Sequence, residues 1–117
     1  MCGITGIFST SSRRTADPGV LTAMRDSMVH RGPDGGEVWL SPDRTVGLAH
    51  RRLSIIDLSN AATQPMCNET GSVWITFNGE IYNHVELRAE LLGHGHAFRT
   101  DHSDTEVLVH GYEQWGL

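Results

Sequence analysis

The hydrophobic residues of this chain keep switching between two spacings, and those switches restrict it to a mixed architecture. Val73, Ile75 and Phe77 alternate with Trp74 and Thr76, the two-residue period of a half-buried strand. Residues 3–9 read as a short buried strand, with Ile4, Gly6 and Phe8 on one face and Thr5 and Ile7 on the other. Residues 37–40 and 46–50 read as two strands around a turn at Ser41-Pro42-Asp43. Helical spacing takes over elsewhere. Asp17-Pro18 supplies an N-cap carboxylate and a first-turn proline, and Val20, Leu21, Met24 and Met28 then share a face until about His30. Asn83-x-x-Glu86 has the form of a capping box, Leu87 and Leu91 mark a buried stripe, and Gly93 and Gly95 end it. Leu108, Tyr112 and Trp115 mark a last helix from about Asp104. Residues 31–36 predict a loop with special backbone angles, residues 53–58 a short apolar run, and residues 59–70 an irregular segment. Hairpin-like spacing of the strands favours an antiparallel α+β layer arrangement over a doubly wound sheet.

At 117 residues the chain is long enough for one domain with a real core. Its net charge of −5 and scattered basic residues argue against binding nucleic-acid phosphates. No apolar run approaches the ~18 residues of a membrane span. The start carries no charged segment followed by an apolar one, so no secretory signal is expected. Cys2 and Cys67 are then expected as free thiols in a reducing cytoplasm.

Several residues carry possible chemistry. Removing Met1 would leave Cys2 with a thiol and a free α-amine on one residue. The two reference pKa values, about 8.5 and about 7.7–8.0, are close enough for the amine to accept the thiol proton. Such a residue supplies both nucleophile and general base, as in an N-terminal nucleophile hydrolase. Equally, a buried free cysteine often only fills space. Asn78-Gly79 is the commonest hairpin dipeptide, yet it leads into helix-capping residues rather than a return strand. An asparagine amide and a glycine N–H at a strand end also suit an oxyanion hole, and both readings stand. Arg51-Arg52 could clamp a carboxylate, or could be solvated or paired with an acid such as Asp57. Asp104 fits a helix first-turn acid or a partner for a substrate ammonium group. His94, His96 and His102 lack metal-ligand spacing, residues 32–36 lack phosphate-loop spacing, and Cys67 reads as an ordinary thiol.

Longer motifs join these residues. They are Met1-Cys2-Gly3-Ile4, His30-Arg31-Gly32-Pro33-Asp34, and Leu48-Ala49-His50-Arg51-Arg52-Leu53-Ser54-Ile55-Ile56-Asp57. Gln64-Pro65-Met66, Phe77-Asn78-Gly79-Glu80-Ile81-Tyr82-Asn83 and Ser103-Asp104-Thr105-Glu106 follow in order. Together they resemble the glutaminase domain of class II glutamine amidotransferases, most closely the glutamine-hydrolysing asparagine synthetase branch. The resemblance implies a four-layer α-β-β-α sandwich of the N-terminal nucleophile hydrolases, of which this chain holds the first portion. It implies that Cys2 attacks the glutamine side-chain amide, with Asn78 and Gly79 stabilising the oxyanion. Arg52 would hold the substrate α-carboxylate, and Leu53, Ser54, Ile55 and Ile56 would line the pocket. Glu80 and Asp104 would receive the α-ammonium, and Arg31 would organise the loop beside Cys2. No role passes to Arg51, and neither metal nor cofactor is expected in this chain. ATP, magnesium and aspartate belong to a synthetase domain expected beyond residue 117, and the full-length protein is a possible homodimer. Two alternatives remain: another acceptor on the same platform, or an inactive truncated interaction module.

Overall fold

The computed structural model describes residues 1–11, 13–54 and 62–116. Three strands, β1 (Gly3–Phe8), β2 (Gly35–Leu40) and β3 (Val46–Arg52), form an antiparallel sheet in the order β1-β3-β2. A second, two-stranded sheet pairs β4 (Met66–Cys67) with β5 (Trp74–Ile75). Helix α1 (Pro18–Asp26) packs across all three strands of the larger sheet, while α2 (His84–Gly93) and α3 (Asp104–Trp115) pack on each other. The architecture is α+β with antiparallel pairing throughout the described residues, as the spacing indicates. The apolar run at 53–58 and Asp57 fall largely outside the described residues.

Strand alternation assigns the two faces of the larger sheet. Gly3 pairs with Arg51 and Ile7 with Gly47, and Gly36 and Leu40 pair with the same two β3 residues. This face meets α1: a Cβ on Gly47 would lie 2.8 Å from Leu21, and one on Gly3 would lie 3.0 Å from the Met28 sulfur. Glycines here let the helix approach closely, and Leu21, Ala16 and Ala49 are fully buried between the layers. The opposite face carries Ile4, Phe8, Trp39, His50 and Arg52. Trp39 stacks on Trp74 of β5 with centroids 4.4 Å apart, bringing the small sheet onto this face.

Several local expectations change. Strand β1 is not wholly buried, because Ile4 and Phe8 lie on the face that α1 does not cover and are 45% and 72% exposed. Helix α1 starts as read, with Asp17 accepting from Val20 N at 2.9 Å. Its inward side carries Leu21 and Arg25, with Met28 continuing that side just past its end, while Val20 and Met24 face outward. Asn83 makes no side-chain cap bond, so the capping box is not formed. Helix α2 does end as the glycines indicate: Gly95 (φ +93°) lets its own N–H reach Leu92 O and that of His96 reach Leu91 O. In α3 the buried residues are Thr105, Glu106, Val107, Val109 and His110, whereas Tyr112 and Trp115 of the expected stripe are about half exposed. The alternation in 73–77 gives a strand of only two residues, Trp74–Ile75.

The loop at 31–36 differs in kind. Gly35 and Gly36 already belong to β2, and none of its glycines has positive φ. Gly32 is required for another reason. A Cβ there would sit 2.5 Å from the Arg51 carbonyl carbon and 2.6 Å from Arg52 N, so the loop lies directly on the β3 backbone. Arg51 then reaches back, its Nε donating to Gly32 O at 2.8 Å, with Nη1 3.8 Å from Asp26. Gly32→Ala should therefore cost about 1–3 kcal/mol, since the clash is with backbone and not with a movable side chain. Gly93→Ala meets nothing within 4 Å and should be neutral or slightly stabilising. Denaturant titration of both variants checks this, and a Gly32→Ala protein as stable as Gly93→Ala would contradict it.

Candidate active site

A cleft of about 360 Å³ opens on the face of the large sheet away from α1. Register explains its first members. Continuing the β1–β3 pairing one step past Gly3–Arg51 sets Cys2 opposite Arg52, on the same face as His50. Cys2 Sγ accepts from Leu53 N at 3.3 Å and lies 3.6 Å from Leu53 O, so the strand exit holds the sulfur from both sides. Arg31 Nε donates to Cys2 O at 3.2 Å, and Asp34 of the same loop accepts from Ser54 N at 2.8 Å. The 31–34 loop thus clamps both chain segments that meet at the sulfur.

The far wall comes from the end of β5 and the start of α3. Asn78, Gly79 and Glu80 line the cleft with Asp104, and no return strand follows Asn78-Gly79, which rules out the hairpin reading. Gly79 packs against its own neighbour's ring: a Cβ there would lie 2.7 Å from Phe77 Cζ. Asp104 Oδ2 accepts from Ile81 N at 2.8 Å, so this first-turn acid also pins the 78–81 segment.

Seven of the residues singled out by sequence converge here: Cys2, Arg52, Leu53, Asn78, Gly79, Glu80 and Asp104. Arg31 and Ser54 stand directly behind them through the bonds above. Ile55 and Ile56 lie outside the described residues. Cys67 sits in the small sheet, away from the cleft.

Three contributors were not singled out by sequence reasoning. Gln64, preceding a cis Pro65, is buried; its Oε1 accepts from Phe77 N at 2.6 Å and its Nε2 donates to Thr105 Oγ1 at 3.1 Å. It ties the Asn78 segment to α3, and the Gln64-Pro65-Met66 motif was its only sequence signal. Thr105 is the second anchor of that tie. His50 is the third, 2% exposed on the cleft wall with Nε2 lacking a hydrogen-bond partner among the described residues. Burial pushes its imidazole below the ordinary value of 6.5; hydrogen bonding with the Phe77 backbone opposes that shift, and the Arg52 charge adds to it.

A thiol, an asparagine amide, an arginine and carboxylates line this one small cleft, and acyl-transfer chemistry uses groups of these kinds. In keeping with that chemistry, the whole chain, residues 1–117, matches the glutamine amidotransferase domain, and the protein belongs to that family. Its similarity is strong to proteins named for asparagine synthesis. It is 45% identical over 119 residues to asparagine synthetase [glutamine-hydrolyzing] 2 of Bacillus subtilis (strain 168), covering 100% of this chain and 15% of that protein. It is 46% identical to asparagine synthetase [glutamine-hydrolyzing] 1 of the same organism, over 98% of this chain and 18% of the relative. Asparagine synthetase [glutamine-hydrolyzing] 1 of Arabidopsis thaliana is 40% identical, over 100% of this chain and 19% of the relative. The chain thus spans less than a fifth of the length of these curated relatives.

The His50 environment carries a pH signature. With its folded pKa depressed, the unfolded chain takes up this proton first as pH falls. The neutral ring therefore contributes stability above about pH 6.5, and that contribution is lost as pH falls through the folded value. His50→Gln removes the titration, so the Tm of the wild type should drop more steeply than the variant's between about pH 7 and 5. Parallel Tm profiles would contradict a buried neutral His50.

Proposed function

We propose that this domain hydrolyses L-glutamine to glutamate and ammonia through a γ-glutamyl thioester on Cys2. The observation that carries the reading is the convergence of Cys2, Arg52, Asn78, Gly79 and Asp104 on one cleft from segments far apart in sequence. Its volume, about 360 Å³, lies near the lower end of the roughly 300–1,000 Å³ of small-molecule sites, suited to a single amino acid.

Met1 lines the cleft and is 74% exposed, so its removal would leave the Cys2 α-amine in the cleft beside the sulfur. That amine takes the thiol proton, and the thiolate attacks the side-chain amide carbon of glutamine. The carbonyl electrons move onto oxygen, which the Asn78 side-chain amide and the Gly79 N–H stabilise. The α-ammonium returns its proton to the leaving nitrogen as the C–N bond breaks, releasing ammonia and forming the thioester. Water then attacks the thioester, giving glutamate and the free thiol. Arg52 pairs with the substrate α-carboxylate and Glu80 and Asp104 receive its α-ammonium. Leu53 lines the pocket with Ser54 behind it, and Arg31 steadies the Cys2 backbone.

The relatives' names, which join glutamine hydrolysis to asparagine synthesis, support a further reading: the ammonia amidates aspartate in an ATP-dependent reaction elsewhere in the full-length protein. ATP does not fit this cleft, where the Glu80 and Asp104 carboxylates would repel a triphosphate, and no step here involves it. In the same reading the chain is the first portion of a glutaminase domain. Further strands complete a four-layer α-β-β-α sandwich over the open face around Ile4 and Phe8.

Glutamate release by the full-length protein tests the chemistry. Cys2→Ala should abolish it, and an N-terminal tag that keeps the Cys2 nitrogen in a peptide bond should do the same with the thiol intact. Asn78→Ala should lower kcat by about 10²–10³ with little change in KM. Arg52→Lys, losing the bidentate fork, should chiefly raise KM. Full hydrolysis by the tagged protein or by Cys2→Ala would overturn the assignment.

A further inference from the structure

The histidines read along the sequence as 94, 96 and 102 do not come together, but His96 meets two residues of α3. His110 and Glu113 stand at i and i+3 on one face of that helix, and His96 follows the Gly95 turn that ends α2. One ligand atom from each of the three lies within 4.8 Å of the others. Glu113 Oε2 is the meeting point, 3.1 Å from His110 Nδ1 and 3.8 Å from His96 Nδ1. The rings sit 5.2 Å apart, and the His110 ring is 1% exposed beneath Phe98.

The outer ring nitrogens also have partners. His96 Nε2 is 3.0 Å from Gln114 Oε1, and His110 Nε2 faces the carboxylates of Glu69 at 3.5 Å and Glu106 at 3.7 Å. An imidazole whose Nε2 proton points at an acceptor presents a lone pair at Nδ1. Both Nδ1 atoms face the same Glu113 oxygen, His110 within hydrogen-bond distance, so displacing the shared proton would turn two lone pairs and a carboxylate onto one cation. Glu106 is fixed in place, accepting from Arg99 N, Thr100 N and the Thr100 hydroxyl, so the His110 ring is oriented from behind. A metal-binding histidine takes that form, with its second ring nitrogen held by a carboxylate or amide oxygen. Glu113 in turn accepts from Asn68 Nδ2 at 2.6 Å, which, ahead of the two histidines, keeps its carboxyl below the ordinary range and ionised.

We propose that His96 Nδ1, His110 Nδ1 and the Glu113 carboxylate form a site for a divalent d-block cation, Zn²⁺ above all, completed by a water molecule. Two imidazoles and one carboxylate are a zinc donor set, and bonds of about 2.0–2.2 Å would draw the three ligand atoms, now within 4.8 Å of one another, closer together. The site joins the end of α2 to α3 on a part of the molecule separate from the cleft, and its function is to stabilise the packing of these two helices.

The full-length protein, stripped with a chelator and titrated with Co²⁺, provides the test. One equivalent should give the intense visible spectrum of four-coordinate cobalt, bleached by Zn²⁺, and Zn²⁺ should raise the Tm. His96→Ala, at a half-buried loop position, should keep the fold and glutamine hydrolysis while weakening Co²⁺ binding tenfold or more. Glu113→Gln should do the same for the metal and guards against a folding defect in either variant. A Co²⁺ spectrum unchanged by both substitutions, or no Tm response to Zn²⁺ in the wild type, would overturn the site.

Discussion

The antiparallel pairing of β1 with β3 is the contact from which the cleft is built. Gly3 opposite Arg51 leaves Cys2 opposite Arg52, and the next peptide, at Leu53, lies against the sulfur. A slip of β1 by one residue would turn Cys2 to the α1 side, away from His50 and Arg52. What prevents a slip is the packing on the other face. Leu21 seats over Gly47 and Met28 over Gly3, and neither position has room for a β-carbon in another register. Gly32, pressed on the Arg51 carbonyl, locks the strand end where register matters most.

The opposite wall depends on buried polar bonds, not on a regular sheet. Gln64 joins Phe77 to Thr105, Asp104 joins α3 to Ile81, and Glu106 holds residues 99 and 100. Each bond ties a loop to the first turn of α3. A buried amide or carboxylate in that position costs desolvation unless its partners are in place, so the loop geometry is specified sharply. Asn78 and Gly79, the proposed oxyanion donors, occupy a segment anchored at Phe77 on one side and Ile81 on the other, and such preorganisation is what an oxyanion site requires.

Much of this was legible in the sequence. Strand period and turn chemistry located β1, β2 and β3, the Asp17-Pro18 start of α1 and the glycine stop of α2. Cys2, Arg52, Leu53, Asn78, Gly79, Glu80 and Asp104 line one cleft because they sit near strand ends and a helix start, where backbone geometry places them. Tertiary packing decided the rest. The inward face of α3 carries Glu106 and His110, polar residues that a hydrophobic stripe cannot reveal, so the apolar Tyr112 and Trp115 drew the stripe to the wrong side. Residues 31–36 look like a positive-φ loop, but their glycines serve close approach, a demand set by β3 and invisible locally. Gln64 and His50 act through partners far along the chain, and the motifs containing them do not state those partners.

The central claim is that Cys2, and not the other thiol Cys67, carries the acyl group. The direct measurement is acid quench of the full-length protein during glutamine turnover, followed by peptide mass mapping. The account predicts a γ-glutamyl thioester on the peptide that begins with Cys2, its amine free and Met1 gone. An adduct on the Cys67 peptide, or turnover with Met1 still attached, would contradict it.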